Sequence, residues 1–205
     1  KRKVAREKIT EILNILSGTK ASDDAFYILN SGRYEFKNKG IDLFINALGK
    51  LNKSAELNKE IVAVIAVPAN ISGIYKELEY RRDGKKPIEG HTDLPCTHHI
   101  FGYEYDAVLN SLRENGLNNN SEDKVKVMFV PSYLNGNDGV FNLKYNDFLY
   151  AFDLTVFPSY YEPWGYTPME SIAHGIPTVT TDLAGFGRYI QDEKFENESV
   201  AIVHR

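Results

Sequence analysis

The 205-residue sequence predicts an α/β fold, a doubly wound, mainly parallel sheet with helices on both faces. Two observations predict it. Short runs of apolar and β-branched residues at 25–29, 61–67, 125–130, 154–157 and 178–181 read as buried strands. Stretches with helical spacing lie between them, and continuous apolar strands alternating with amphipathic helices are the pattern of a parallel sheet covered on both sides.

The elements follow in chain order. A helix runs from about Arg2 to Leu16 and ends at Ser17-Gly18. After the first strand, Phe44, Ala47, Leu48 and Leu51 fall at i, i+3, i+4 and i+7, one stripe of an amphipathic helix. The segment 70–95 carries Arg81-Arg82-Asp83-Gly84-Lys85-Lys86-Pro87, breaks the rhythm and reads as a surface excursion, a solvated loop rather than an anion site. Val108, Leu109 and Leu112 mark a further helix that stops near Gly116. Thr167-Pro168-Met169-Glu170 has the form of a capping box with proline at the first helical position, and that helix ends at His174 before Gly175.

Charge and composition exclude several function classes. With a net charge of −4 and a pI near 5.8, no basic field attracts nucleic acid or an anionic membrane. The longest apolar run, 61–69, is too short to cross a bilayer. Cys96 is the single cysteine, which rules out an intramolecular disulfide and fits a cytoplasmic location. Its spacing to His91, His98 and His99 matches no standard zinc pattern, so no metal is expected. Beginning without methionine, the chain reads as a segment excised from something longer, forming one domain over 1–205.

In open parallel sheets ligands bind beyond the carboxyl ends of the strands, so the loops after Leu29, Val130 and Phe157 are the informative ones. In Ser31-Gly32-Arg33-Tyr34-Glu35-Phe36-Lys37-Asn38-Lys39-Gly40, Arg33 offers a forked donor and Lys39 a point charge, and both could reach one diphosphate. Two solvated cations on a polar loop are the plainer reading. The loop after Phe157, as far as Glu170, holds four aromatics and two carboxylates, Glu162 and Glu170. Glu170 has a capping role available to it; Glu162 precedes a proline outside the helix and has none.

These residues carry a resemblance. Gly32-Arg33-Tyr34-Glu35-Phe36 with Asn38-Lys39-Gly40, and Tyr160-Tyr161-Glu162-Pro163-Trp164-Gly165-Tyr166-Thr167-Pro168-x-Glu170, resemble the glycogen synthases of animals and fungi. Cys96-Thr97-His98, Val125-Lys126-Val127 and Thr180-Thr181-Asp182-Leu183-Ala184-Gly185-Phe186-Gly187 follow in the order of that family. The resemblance spans about residues 25–190. It implies the Rossmann-like, C-terminal, nucleotide-sugar-binding half of a GT-B glycosyltransferase. It further implies transfer of glucose from UDP-glucose to the non-reducing end of an α-1,4-glucan such as glycogen, with retention and without a metal or organic cofactor. Arg33 and Lys39 would then hold the diphosphate, neutralising charge that grows on the leaving group. Glu162 would face the transferred glucose and Glu170 the ribose. Tyr145 would stack on the base, and Trp164 with the amides of Gly165, Tyr166 and Thr167 would bind phosphate or sugar. The acceptor surface would come from an amino-terminal domain that this chain does not contain. A related enzyme with another donor or acceptor, or a noncatalytic nucleotide- or glycan-binding module, are the alternatives.

Overall fold

The computed structural model describes residues 1–18, 20–84, 95–195 and 199–205. A six-stranded parallel sheet forms its centre. It is built from β1 (Phe26–Ser31), β2 (Ile61–Ala66), β5 (Val125–Phe129), β6 (Leu154–Val156), β7 (Thr178–Thr181) and β8 (Val200–Val203), in the spatial order β5-β2-β1-β6-β7-β8. Counted along the chain within the sheet, this is the order 3-2-1-4-5-6, and its direction of growth reverses between β1 and β6. The loops that leave these two strands are those carrying Arg33, Lys39 and Glu162.

All five expected strands are present. β2 and β5 are buried at every position, because both of their faces are covered and a continuous apolar run can satisfy both. One face packs on α1 (Arg2–Ser17) and α5 (Tyr145–Leu149), through Ile9, Leu13, Leu29, Val64, Phe148 and Phe152. The other face packs on α2 (Ile41–Asn52) and α4 (Ala107–Glu114), through Ile45, Leu48, Ile65, Leu109 and Phe129. A smaller cluster joins α7 (Gly185–Asp192) to β8, with Ile172 of α6 (Tyr166–Ala173) packed against it.

Asp153 fixes α1 to the sheet. It accepts hydrogen bonds from Arg2, from Arg6 at 2.5 Å and from the Tyr27 amide at 2.9 Å. The core stripe of α2 differs from the expected one. Ile41, Phe44, Ile45 and Leu48 are buried, whereas Ala47 and Leu51 face outward. Both stripes have helical spacing, and packing selects the one that buries two isoleucines instead of an alanine.

The segment 70–95 is more than a loop. It contains β3 (Ile71–Ile74), paired antiparallel with β4 (His98–Ile100), and α3 (Lys76–Arg82), whose Leu78 is fully buried. Arg81 donates to the carbonyls of Ile15 at 2.9 Å and Leu16 at 3.2 Å, capping the C-terminal end of α1. Arg82 donates to the Gly139 carbonyl at 3.1 Å. Lys85, Lys86 and Pro87 lie outside the described residues, as does His91.

Candidate functional site

The site assembles where the loops after β1 and β6 meet at the carboxyl edge of the sheet. The first loop is folded on itself: the Lys39 amide donates to the Glu35 carbonyl at 2.8 Å and the Gly40 amide to the Lys37 carbonyl at 3.0 Å. Glu35 organises it. One carboxylate oxygen accepts from Asn38 at 2.6 Å, and the other pairs with Arg33 Nε at 3.1 Å. That contact takes Nε only, and the guanidinium stays largely exposed. Tyr34 anchors the loop to α4. Its hydroxyl donates to Asp106 at 2.7 Å, and the other oxygen of Asp106 accepts from the Leu109 amide at 2.9 Å as the N-cap of α4. Burial and the Asp106 bond both push the Tyr34 phenol well above its ordinary range.

The two loops touch closely. The Tyr160 amide donates to the Asn38 carbonyl at 2.7 Å. Gly40, at φ +66°, lies so near Pro158 that a Cβ there would stand 1.9 Å from its carbonyl oxygen. The approach brings Lys39 Nζ into an ion pair with Glu162, both side chains being about one-sixth exposed, 15% and 17%. Burial draws the Lys39 ammonium below its usual range; the nearby Arg33 charge pulls the same way and Glu35 opposes. Arg33 and Lys39 are both tied to Glu35, whose side chain pairs with Arg33 and whose carbonyl accepts the Lys39 amide.

The backbone of Glu162 is fixed from the other side. Its carbonyl accepts the Gly185 amide at 3.0 Å, and that of Trp164 accepts the Phe186 amide at 2.7 Å. The Trp164 indole packs on Phe186 and Tyr189 of α7, with ring centroids 6.0 and 5.7 Å away. The next residue, Gly165, at φ +99°, turns the chain into α6, which starts at Tyr166. The capping box therefore does not form: Thr167 and Glu170 are both inside the helix, and no side chain caps it. With glycine able to turn the chain earlier, Pro168 sits at the third helical position, where its missing N–H would have met no carbonyl. By the same geometry, the first-turn amides of Tyr166 and Thr167 have no intrahelical acceptor and suit an anion or sugar oxygen.

A cavity of about 240 Å³ adjoins this corner, lined by Ser31, Gly32, Ala66, Tyr133, Tyr145 and Thr167 among others. Tyr145 shares a 2.8 Å hydrogen bond with the Ser31 hydroxyl. Burial pushes its phenol up to about 12; the Ser31 bond opposes, and the charge of Glu170 adds to the rise. Glu170 lies about one turn along α6 from Thr167, which lines the cavity. The cavity also shows what the residue pattern missed. Tyr133, in the loop after β5, is 74% exposed although it lines the cavity. An aromatic held in solvent beside a pocket is available for stacking. Its signal was its place after Val130, at the carboxyl edge.

Cys96 and His98 lie apart and are committed to the protein. The Cys96 thiol donates to the His98 carbonyl, and burial pushes it up to about 12. His98 Nε2 bonds the Asp138 carbonyl at 2.9 Å, so Nε2 carries the proton and Nδ1 accepts from Thr97. Among the described residues, no group of three His, Cys, Asp or Glu side chains is placed to hold a metal, and no helix is long and apolar enough to cross a membrane.

The sequence matches the glycogen synthase family model over residues 6–78 and 89–205. The glycogen [starch] synthase isoform 1 of Saccharomyces cerevisiae is 34% identical, over 83% of this chain and 32% of that protein. The glycogen [starch] synthase of Caenorhabditis elegans is 33% identical, over 89% of this chain and 35% of that protein. The chain thus spans about a third of the length of these relatives. Among solved structures, the N-terminal domain of Candida albicans trehalose-6-phosphate phosphatase has a TM-score of 0.53 at 12% identity, covering 97% of this chain and 34% of that one, a likeness of fold alone. With the family model covering nearly all of the sequence, the chain belongs to the glycogen synthase family.

Proposed function

We propose that this chain is the nucleotide-sugar-binding half of a cytoplasmic GT-B glycosyltransferase that moves glucose from UDP-glucose to the non-reducing end of an α-1,4-glucan with retention. The observation that carries the reading is the placement of Lys39 against Glu162, in the loop that enters α6, with Arg33 held on the same loop as Lys39 by Glu35. Two like charges held together cost free energy that a diphosphate between them would return. Glu35 and Glu162 are single-charge substitutes for that diphosphate.

The cavity supports the same placement. Gly32 and Thr167 are among its lining residues, the first next in the chain to Arg33 and the second in the first turn of α6, so a diphosphate at that end would leave the nucleoside inside. Tyr145 and Tyr133 would flank the base, and Glu170 would accept from the ribose hydroxyls. Arg33 and Lys39 would stabilise charge building on the leaving diphosphate without a metal. Glu162 would face the glucose, where a fixed carboxylate favours positive charge at the anomeric carbon. Trp164 acts through α7, holding the loop that presents Glu162 and the amides of Gly165, Tyr166 and Thr167. The acceptor would be positioned by an amino-terminal domain of the same enzyme, and its closure over the donor would exclude water.

Calorimetric titration with UDP-glucose, ADP-glucose, UDP and ADP tests the donor assignment. Tighter binding of the uridine pair supports it. Equal or tighter binding of the adenosine pair overturns the choice of nucleotide, and no binding of any of the four overturns the site.

A further inference from the structure

We propose that Lys39 exchanges partners: without donor its ammonium neutralises Glu162, and an arriving diphosphate draws it away, freeing the carboxylate to face the sugar. The inference rests on the donor-site reading above and adds an order of events to it.

Three observations carry it. The Lys39–Glu162 pair is largely shielded from solvent, so each charge is answered by the other rather than by water. The two partners are unequally free. Glu162 is held at its backbone, where its carbonyl accepts the Gly185 amide at 3.0 Å, and its carboxylate stands on a stem of only two methylenes. Lys39 has a flexible four-carbon stem, so the lysine is the partner that moves. Finally, Arg33 and Lys39 rise from one loop and each is answered by a separate carboxylate, Arg33 by Glu35 and Lys39 by Glu162. A diphosphate, with more than one negative charge, answers both.

The exchange has a chemical consequence. A carboxylate already neutralised by an ammonium does little for a positive centre developing on a sugar. Glu162 becomes available only when a diphosphate holds Lys39, so the site is armed by the nucleotide part of the donor. A sugar without diphosphate leaves the pair closed.

Breaking the pair subtracts from diphosphate affinity, which calorimetry with UDP and uridine reads directly. Glu162→Gln should bind UDP about tenfold more tightly than wild type and uridine equally well. In a Lys39→Ala background the same substitution should gain less than about threefold, since no pair remains to break. Equal or weaker UDP binding by Glu162→Gln overturns the exchange, and so does an identical gain in both backgrounds, which signals direct repulsion between carboxylate and phosphate. Failure of wild type to bind UDP, or indifference of UDP to Lys39→Ala, overturns the donor site itself. A second readout uses wild type alone, with 13C-labelled glutamate. The Glu162 carboxyl resonance should move on addition of UDP and stay in place with uridine; an unmoved resonance at saturating UDP overturns the exchange.

Discussion

Replacing Gly40 by alanine probes the contact on which the whole site geometry depends. Gly40 holds a left-handed conformation at φ +66° and is the N-cap of α2. An added Cβ meets the Pro158 carbonyl oxygen at 1.9 Å, whereas Cβ contacts below 3.0 Å essentially do not occur, so the two loops must separate by about 1 Å. A left-handed alanine costs about 1–2 kcal/mol, and forcing atoms into a packed contact adds roughly 1–3 kcal/mol. A loss of about 3 kcal/mol lowers Tm by roughly 6–12 °C in a chain of this size. The displacement also pulls Lys39 away from Glu162 and breaks the bond from the Tyr160 amide to the Asn38 carbonyl. Calorimetric UDP binding should therefore weaken at a temperature where Gly40→Ala is still folded. Wild-type Tm and wild-type UDP affinity together would refute the claim that this glycine sets the spacing of the loops.

Three further substitutions separate local roles. Asp106→Ala removes the N-cap of α4 and the Tyr34 partner together, and should cost about 2 kcal/mol in chemical denaturation, against about 1 kcal/mol for Tyr34→Phe. Glu170→Ala should change stability by less than about 0.5 kcal/mol, since Glu170 caps nothing, yet weaken uridine and UDP binding alike. Burial holds His98 below its ordinary value, partly opposed by Asp138. The unfolded chain therefore takes up the proton first, and stability falls as pH drops from about 6.5 toward the lowered native value. His98→Gln should lose less stability than wild type between pH 7.5 and 5.5, and equal losses would show that the imidazole is not the group responsible.

Much of the fold is legible in the residues because a buried parallel strand must be apolar on both faces. β1, β2, β5, β6 and β7 announce themselves in that way. β8 does not: at the edge of the sheet it alternates buried and exposed over four residues, too short a pattern to separate from coil. The two-stranded sheet of β3 and β4 escapes because its strands are only four and three residues long, and α3 is hidden by the charges of its last turn. The apparent capping box of Thr167 and Glu170 misleads because Gly165 can start the helix two residues earlier. At the site, Arg33, Lys39 and Glu162 stand out as charges without a structural task in strand-to-helix loops. Their mutual arrangement is a tertiary fact. The ion pair of Lys39 with Glu162 and the place of Tyr133 in the cavity wall depend on how the loops after β1, β5 and β6 come together, which no local pattern encodes.

The central claim is a diphosphate clamp at Arg33 and Lys39, and calorimetry with UDP and uridine on wild type, Arg33→Ala and Lys39→Ala tests it most directly. Charge-assisted hydrogen bonds are worth about 1.5–3 kcal/mol each. Each alanine variant should therefore bind UDP roughly tenfold to a hundredfold more weakly while binding uridine as wild type does. Losses of equal size for UDP and uridine, or no loss for either, would contradict the clamp.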